Sequence, residues 1–542
     1  MRISQRDWLV AIALAAMFSF TGLANHPLQA NDEPRVAGIG WEMQHTGQWW
    51  LPHLAGEPFL EQPPLFYALQ GVAIERFGAS PGVARLPGAV ASALTLLLVF
   101  ALARRVANPA AGLAALLALV GIGGFFRYSH RGVVDPLLTL FVMSGYYAYV
   151  RAVWGSAPND SPSSDARVSP VWLVAVYLAA ALAFWVKGLV GVVAVGGPLA
   201  VDVLVNRRWR ALASPAHLVG LPLLLAACAA WPLVLHAAEG EAAAREFLLN
   251  NGLYRIAPGA GAGQYIGGHQ NPVWYYLPRI PGQLGWIALF VPAAAAWLLR
   301  GGAPPEWRLP ALRFLACVFP VGVLLLSIPG TKRGLYVLPF EPPLAVAIGA
   351  WIAAAALGDA HRSPVERAVN TACAHVVGVL LRPIAKQGGV AELREDITRA
   401  ATGPCRAPQR LAAAAFAIAV AWNLFAYPFK GEDRDLGPMA REVGERAGAE
   451  PLLGLSLEEC VRGALPFYAG LVPIRADDAT GLAQRVARSG ARHLLAPVFL
   501  QDRIEAELGH PVSPELTWNA VGTDYALYPL PPPAARAAGP LE

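Results

Sequence analysis

Apolar stretches, each near the length needed to cross a bilayer, succeed one another along most of this chain and restrict it to membrane folds. A spanning helix needs about 20 mostly apolar residues, because each rises about 1.5 Å through a hydrocarbon core about 30 Å thick. Stretches near 8–24, 86–103, 110–126, 134–151, 171–187, 189–206, 215–236, 284–300, 311–328, 335–357 and 409–427 approach that length. They predict an all-α polytopic membrane bundle of about 11–13 transmembrane helices. Composition agrees: 55% of the 542 residues are hydrophobic and 15% charged, too apolar for an ordinary soluble chain. No period repeats across the helices.

Orientation follows from the basic residues of the short loops. Arg2 and Arg6, Arg104 and Arg105, Arg207, Arg208 and Arg210, and Arg300 and Arg308 fall in alternate loops, which places those loops on the cytoplasmic side. The opposite loops face outward: 25–85, Arg127 to Arg131, the turn at 187–188, 237–283 and Ser327 to Gly334. Every unusual polar motif of the membrane half therefore shares one side. Basic residues in these outward loops run against the positive-inside bias, and a bound phosphate would account for them.

Residues 1–30 also admit a reading as a cleaved signal peptide, since Arg2 and Arg6 precede an apolar core and Leu28-Gln29-Ala30 resembles a cleavage site. A retained first helix fits the many later spans better. The stretch 357–408 reads as a cytoplasmic or interfacial connector, because Ala374 to Leu381 is too short to span but can lie along the surface as an amphipathic helix. From 428 the composition turns soluble. Leu452 to Leu455, a helical pattern over Asp478 to Ser489 and His493 to Val498 predict strand, helix, strand, and hence a small α/β domain over 428–542, on the periplasmic side unless the connector crosses. The membrane domain is then 1–427, with 25–85 and 237–283 as its larger outward loops. Five cysteines without a CxxC motif support neither a disulfide framework nor a zinc cluster. The net charge of +5 is scattered, which excludes a nucleic-acid partner and favours anionic lipid.

Within the outward loops, Asn31-Asp32-Glu33-Pro34-Arg35 sets an acid pair at the membrane surface. A carboxylate there can accept a proton from an attacking hydroxyl or orient a cation. The competing reading is a solvated helix N-terminus, where acids suit the dipole and Pro34 suits the first turn. Asp135, in Arg131-Gly132-Val133-Val134-Asp135-Pro136, carries the same two readings. Glu61 and His269 offer one oxygen and one imidazole for a divalent metal cation, half of the usual set of about four ligands. His269, close to Trp274, Tyr275 and Tyr276, also reads as an ordinary interfacial residue. Lys187, Arg255, Lys332 and Arg333 stand at outward helix ends or in an outward loop. There they can stabilise a phosphate leaving group, although any one of them can instead snorkel to lipid headgroups.

The run from Asp32-Glu33-Pro34-Arg35 through Gly56-Glu57-Pro58 and Glu61-Gln62-Pro63-Pro64 to Arg85-Leu86-Pro87 resembles the first outer loop of bacterial GT-C glycosyltransferases. These are the aminoarabinose (lipid A) transferase and protein O-mannosyltransferase-like group. The likeness continues at Val134-Asp135-Pro136, Val186-Lys187-Gly188, Pro272 to Pro278, and Thr331-Lys332-Arg333 with Tyr336, covering about residues 1–357. The resemblance implies a GT-C bundle in the bacterial inner membrane with its site facing the periplasm. It implies inverting transfer of a hexose or pentose from a polyprenyl-phosphate donor to lipid A, another envelope glycan or protein, with no nucleotide. It implies Asp32 as the catalytic carboxylate, with Glu33 beside it and Asp135 shaping the site. Lys187, Arg255, Lys332, Arg333 and Gln62 then serve the donor phosphate, and Glu61 and His269 match positions associated with a metal in the aminoarabinose branch. Relatives commonly carry lysine where this chain has Gln62, which donates hydrogen bonds but brings no charge.

A polytopic transporter or lipid-linked-sugar flippase is the alternative, because Pro339, Pro342 and Pro343 interrupt a span. Against it, the charges gather at one face and no repeat is visible. An envelope scaffold is a further rival that would leave the acidic residues dispensable. The transferase reading requires Asp32, Asp135 and Lys332 to open onto one extracytoplasmic pocket.

Overall fold

Helices built from the apolar stretches dominate the first of two units into which the chain divides. The structure, a computed structural model, describes residues 5–29, 32–155, 168–253, 270–381, 398–400, 402–429, 434–520 and 522–530. Met1–Thr21, Glu61–Pro63 and Gly88–Phe425 form the first unit, and Gly22–Leu60, Pro64–Pro87 and Ala426–Glu542 the second.

Among the described residues, six helices are long and apolar enough to cross a membrane: Pro81–Val106, Pro170–Lys187, His217–Gly252, Leu309–Ser327, Gly334–Leu357 and Ala407–Phe429. A seventh results if Val273–Leu289 and Val291–Leu299, bent by 71°, make one span. The polytopic helical membrane fold is as expected, but fewer stretches run unbroken. The one at 110–126 breaks at Ile122, whose extended backbone (φ −74°, ψ 121°) separates Pro109–Gly121 from Gly123–Tyr128. Gln5–Phe20 and Leu189–Val205 stop at 16 and 17 residues.

Burial sorts these helices. The most apolar window of Gly334–Leu357 is 89% buried, against 22% in His217–Gly252. The former is therefore the bundle's centre, packed on Pro109–Gly121 and Leu309–Ser327. The latter turns Leu218, Val219, Leu225 and Leu233 outward, as a lipid-facing helix does. The connector forms the helix Pro364–Leu381, longer than the surface helix read over 374–381. Arg300 pins it through a bidentate pair with Glu366, Nε to Oε1 at 2.7 Å and Nη2 to Oε2 at 2.8 Å. Residues 382–397 lie outside the described residues.

The second unit holds a short hairpin, β1 (His53–Leu54) with β2 (Glu57–Pro58), and a five-stranded sheet. Its strands are β3 (Leu452–Leu455), β4 (Ile474–Ala476), β5 (His493–Pro497), β6 (Leu516–Ala520) and β7 (Thr523–Pro529), in the order β4-β3-β5-β7-β6. β4 and β5 flank β3 in parallel, and β7 runs antiparallel between β5 and β6. Helices Glu459–Ala469 and Leu482–Ser489 make the crossovers. β3 is buried at every position, the continuous apolar pattern of a parallel strand covered on both faces. The α/β expectation holds for β3, the second crossover helix and β5; β4 and the β6–β7 hairpin were not read.

The division between Phe425 and Ala426 lies close to the expected boundary at 427, and the difference is in the first outward loop. Most of the first outward loop, read as part of the membrane domain, folds with the C-terminal segment, and its helix Glu33–Thr46 packs along Glu459–Ala469.

Candidate functional site

In the first unit, Asp135 opens the helix Asp135–Val153, with Pro136 in the first turn, and Lys187 closes the helix Pro170–Lys187. The chain turns at once into Leu189–Val205 because Gly188 takes φ +62°, a left-handed value that suits glycine. An acid at a helix N-terminus and a cation at a helix C-terminus both complement the helix dipole. Lys187 Nζ donates to Asp135 Oδ1 at 2.5 Å, and the two side chains are only 9% and 3% exposed. The same ammonium lies 4.6 Å from the centroid of the Tyr336 ring, a cation–π contact. In the sequence Tyr336 stands only as part of a longer motif.

Two clefts meet at this pair. One spans about 750 Å³, part of it open, and is walled largely by apolar side chains such as Leu189, Phe247 and Leu248, while Glu61, Gln62, Asn251 and Thr331 reach it together with Lys187 and Tyr336. The other, about 560 Å³, is largely apolar, with Leu138, Val193, Leu325 and Phe340 beside Asp135. Lys187, Val190, Leu326, Pro329 and Tyr336 wall both. A cation with an aromatic face thus stands where an apolar-walled cleft bearing several polar groups passes into one that is almost wholly apolar. Such a seam suits an amphiphile whose anionic group joins a hydrocarbon chain.

Lys332 is placed differently from the expectation that it presents its charge to a ligand. It is buried, and its ammonium donates to the carbonyls of Asn271, at 2.9 Å, and Pro329. Asn271 Nδ2 returns a bond to the Lys332 carbonyl at 3.1 Å. Burial pushes the lysine below its ordinary pKa. Lys332 therefore staples the segment carrying Pro329 and Thr331, and acts on the clefts by positioning their wall. Arg333 is half-buried, and its carbonyl accepts from the Tyr276 hydroxyl at 3.3 Å. Arg255 and His269 lie outside the described residues. Glu61 and Gln62 do reach the first of these clefts. Among the described residues no group of three or more His, Cys, Asp or Glu side chains could hold a metal ion.

The acid pair belongs to the second unit, where its two members do different work. Asp32 stands at the N-cap position of Glu33–Thr46, yet its side chain makes no capping bond. It accepts instead from Arg35 Nη2 at 3.0 Å, while Arg35 Nη1 donates to Glu459 at 2.6 Å. The guanidinium lies 5.8 Å from the Phe59 ring centroid. Glu33, expected beside Asp32 as a second catalytic acid, is held in a buried ion pair. It is buried, and Arg85 grips it bidentately, Nε to Oε1 and Nη2 to Oε2, both at 2.8 Å. Gln29 N donates to the same Oε2 at 2.7 Å. Arg85, fully buried, spends its other hydrogens on the carbonyls of Leu23, His26 and Pro27. A carboxylate engaged in this way is poorly placed for a reacting proton; it fixes the 22–29 segment to the helix.

A second buried acid, Glu42, was not read from the sequence. Its Oε1 and Oε2 accept from Ala55 N at 2.6 Å and Gly56 N at 2.9 Å, clamping the turn between β1 and β2. Burial, the largest influence, raises its pKa above the ordinary value, against the lowering effect of those two amide bonds.

The family described as dolichyl-phosphate-mannose-protein mannosyltransferase matches residues 61–233. An undecaprenyl phosphate-alpha-4-amino-4-deoxy-L-arabinose arabinosyl transferase of Pseudomonas aeruginosa is 30% identical over 351 residues, 64% of this chain and 59% of that protein. A protein of the same description from Pectobacterium carotovorum is 29% identical over 353 residues, 63% of this chain and 58% of its own length. The chain thus spans less than two thirds of the length of these relatives. The crystal structure of ArnT from Cupriavidus metallidurans bound to undecaprenyl phosphate shares the fold, with a TM-score of 0.71 at 19% identity over 99% of this chain and 100% of that one.

Proposed function

We propose that this chain, which belongs with the GT-C glycosyltransferases of the aminoarabinose-transferase and protein-mannosyltransferase group, moves a sugar from a polyprenyl-phosphate donor to an envelope acceptor. The observation that carries this reading is the seam at Asp135, Lys187 and Tyr336, where a cleft that presents Glu61, Gln62 and Asn251 shares a wall with an almost wholly apolar one. A polyprenyl phosphate has the matching form: its chain fits the almost wholly apolar cleft, its phosphate meets Lys187, and its sugar lies in the other cleft beside Glu61 and Gln62. One Lys187 hydrogen is used by Asp135, and two remain for phosphate oxygens.

In this reading an acceptor oxygen attacks the anomeric carbon from the face opposite the phosphate. The bond between that carbon and the phosphate oxygen breaks, and polyprenyl phosphate leaves with the carbon inverted. Lys187 offsets the charge growing on the departing phosphate, an effect that strengthens in the transition state. The family resemblance assigns Asp32 the acceptor's proton. No step is routed through a metal, and no nucleotide is required, because the leaving group is the lipid phosphate. Lipid A, named for the aminoarabinose branch, is the first acceptor to test, at the periplasmic face of the inner membrane.

Mass spectrometry of lipid A and other envelope glycans from cells with and without the gene tests this directly. A pentose- or hexose-bearing species present only with the gene is the expected result. Identical glycan profiles, with altered distribution of lipid-linked sugar between leaflets, would instead favour a transporter.

A further inference from the structure

The sheet of the second unit carries a polar cavity that none of the chemistry above uses. It spans about 320 Å³, part of it open to solvent, and is lined by Gly454, Ser456, Arg462, Arg475 and Asp477, with Ala55 from the hairpin turn. Gly454 of β3 lies opposite Arg475 of β4 in parallel register, so both project from the same face of the sheet, toward the helix that carries Arg462. The cavity sits at the carboxyl ends of two parallel strands, where open α/β sheets bind ligands. Ser456, which follows β3, takes φ +49°, a conformation non-glycine residues seldom hold without a local reason.

We infer that this cavity binds a phosphate monoester between the Arg462 and Arg475 guanidiniums. Arg462 Nη2 donates to the Leu54 carbonyl at 2.8 Å, and Nε is sealed from solvent with no hydrogen-bond partner. Arg475 Nε is paired with the exposed Asp477 at 2.6 Å, and Ser456 Oγ donates to the Asp477 carbonyl at 2.7 Å. Burial and the neighbouring charge of Arg475 both disfavour the Arg462 cation, while Glu459, Glu57 and Asp477 favour it. A bound dianion relieves that repulsion. Its tetrahedral oxygens can accept from both guanidiniums at once. The site stands independently of the transferase reading, since no residue in it serves the clefts of the first unit.

Equilibrium binding to the full chain in detergent tests the assignment, with inorganic phosphate, dihexanoyl phosphatidic acid and dihexanoyl phosphatidylcholine as probes. Saturable binding of phosphate or phosphatidic acid is expected, weakened about tenfold or more in Arg475→Gln and in Arg462→Gln. It should be unchanged in Arg485→Gln, an exposed arginine outside the cavity. Phosphatidic acid binding more tightly than inorganic phosphate identifies a lipid headgroup as the source; the reverse identifies the free ion. Arg475 is partly exposed, so its variant keeps the test valid if Arg462→Gln fails to fold. Binding that is absent, that persists undiminished in Arg475→Gln, or that extends equally to phosphatidylcholine overturns the proposal.

Discussion

Gly38 and Gly463 meet backbone to backbone: a Cβ built on Gly38 would lie 2.5 Å from Gly463 Cα, and one on Gly463 would lie 2.4 Å from the Pro34 carbonyl oxygen. The first outward loop and the α/β sheet are held together at this crossing of two helices. Gly38→Ala or Gly463→Ala forces the helices apart, at a cost of about 1–3 kcal/mol typical of overpacking. Limited proteolysis of the purified protein should then cut the second unit faster than in the parent. Unchanged proteolysis and melting would mean that the helices do not cross this closely.

Glu33→Gln and Arg85→Ala each leave a buried charge without its partner. Loss of one member of such a pair costs about 3–5 kcal/mol. The expected result is a fall in the yield of monodisperse protein, measured by fluorescence-detected size exclusion, whether or not substrate is present. A Glu33→Gln protein that is fully folded but inactive would return Glu33 to a catalytic role.

The Asp135–Lys187 pair separates stability from function. Asp135→Asn and Lys187→Met should each lower the melting temperature, while the double variant recovers part of the loss because no unpaired charge remains. Transfer should not recover in the double variant. Loss of one charge-assisted contact to phosphate costs about 2 kcal/mol, or about thirtyfold in kcat/KM for the lipid donor.

Glu42 adds a pH dependence whose sign is fixed by its environment. Its folded pKa lies above the ordinary 4.5, so folding favours the protonated form. The stability it contributes therefore grows as pH falls through the folded pKa toward 4.5, and is smallest at neutral pH. Glu42→Gln removes this titration. The melting temperature of the parent minus that of the variant should rise from pH 7.5 to pH 5; a signed difference that falls over that range would contradict the assignment.

How much of this was legible in the sequence depended on the range of the interaction. Asp135 and Lys187 could be placed because Pro136 and Gly188 mark helix ends locally, and both residues do line the clefts. Asp32 and Glu33 could not be told apart, since adjacent residues at a helix start point in different directions and only the fold shows which one Arg85 seizes. Lys332 reads in sequence as a loop cation; the carbonyls that absorb its charge belong to Pro329 and to Asn271, 61 residues away. The joining of the first loop to the C-terminal sheet rests on contacts such as Arg35 with Glu459, 424 residues apart, beyond any local pattern. β4, three residues long with two of them exposed, lacks the apolar run that revealed β3.

A cryo-electron microscopy map of the full chain in nanodiscs with undecaprenyl phosphate tests the central claim most directly. The account places the phosphate within hydrogen-bond reach of Lys187 Nζ and the first isoprene units along Leu138, Val193 and Phe340. A phosphate bound away from both clefts, with Lys187 paired to Asp135 alone, would contradict it.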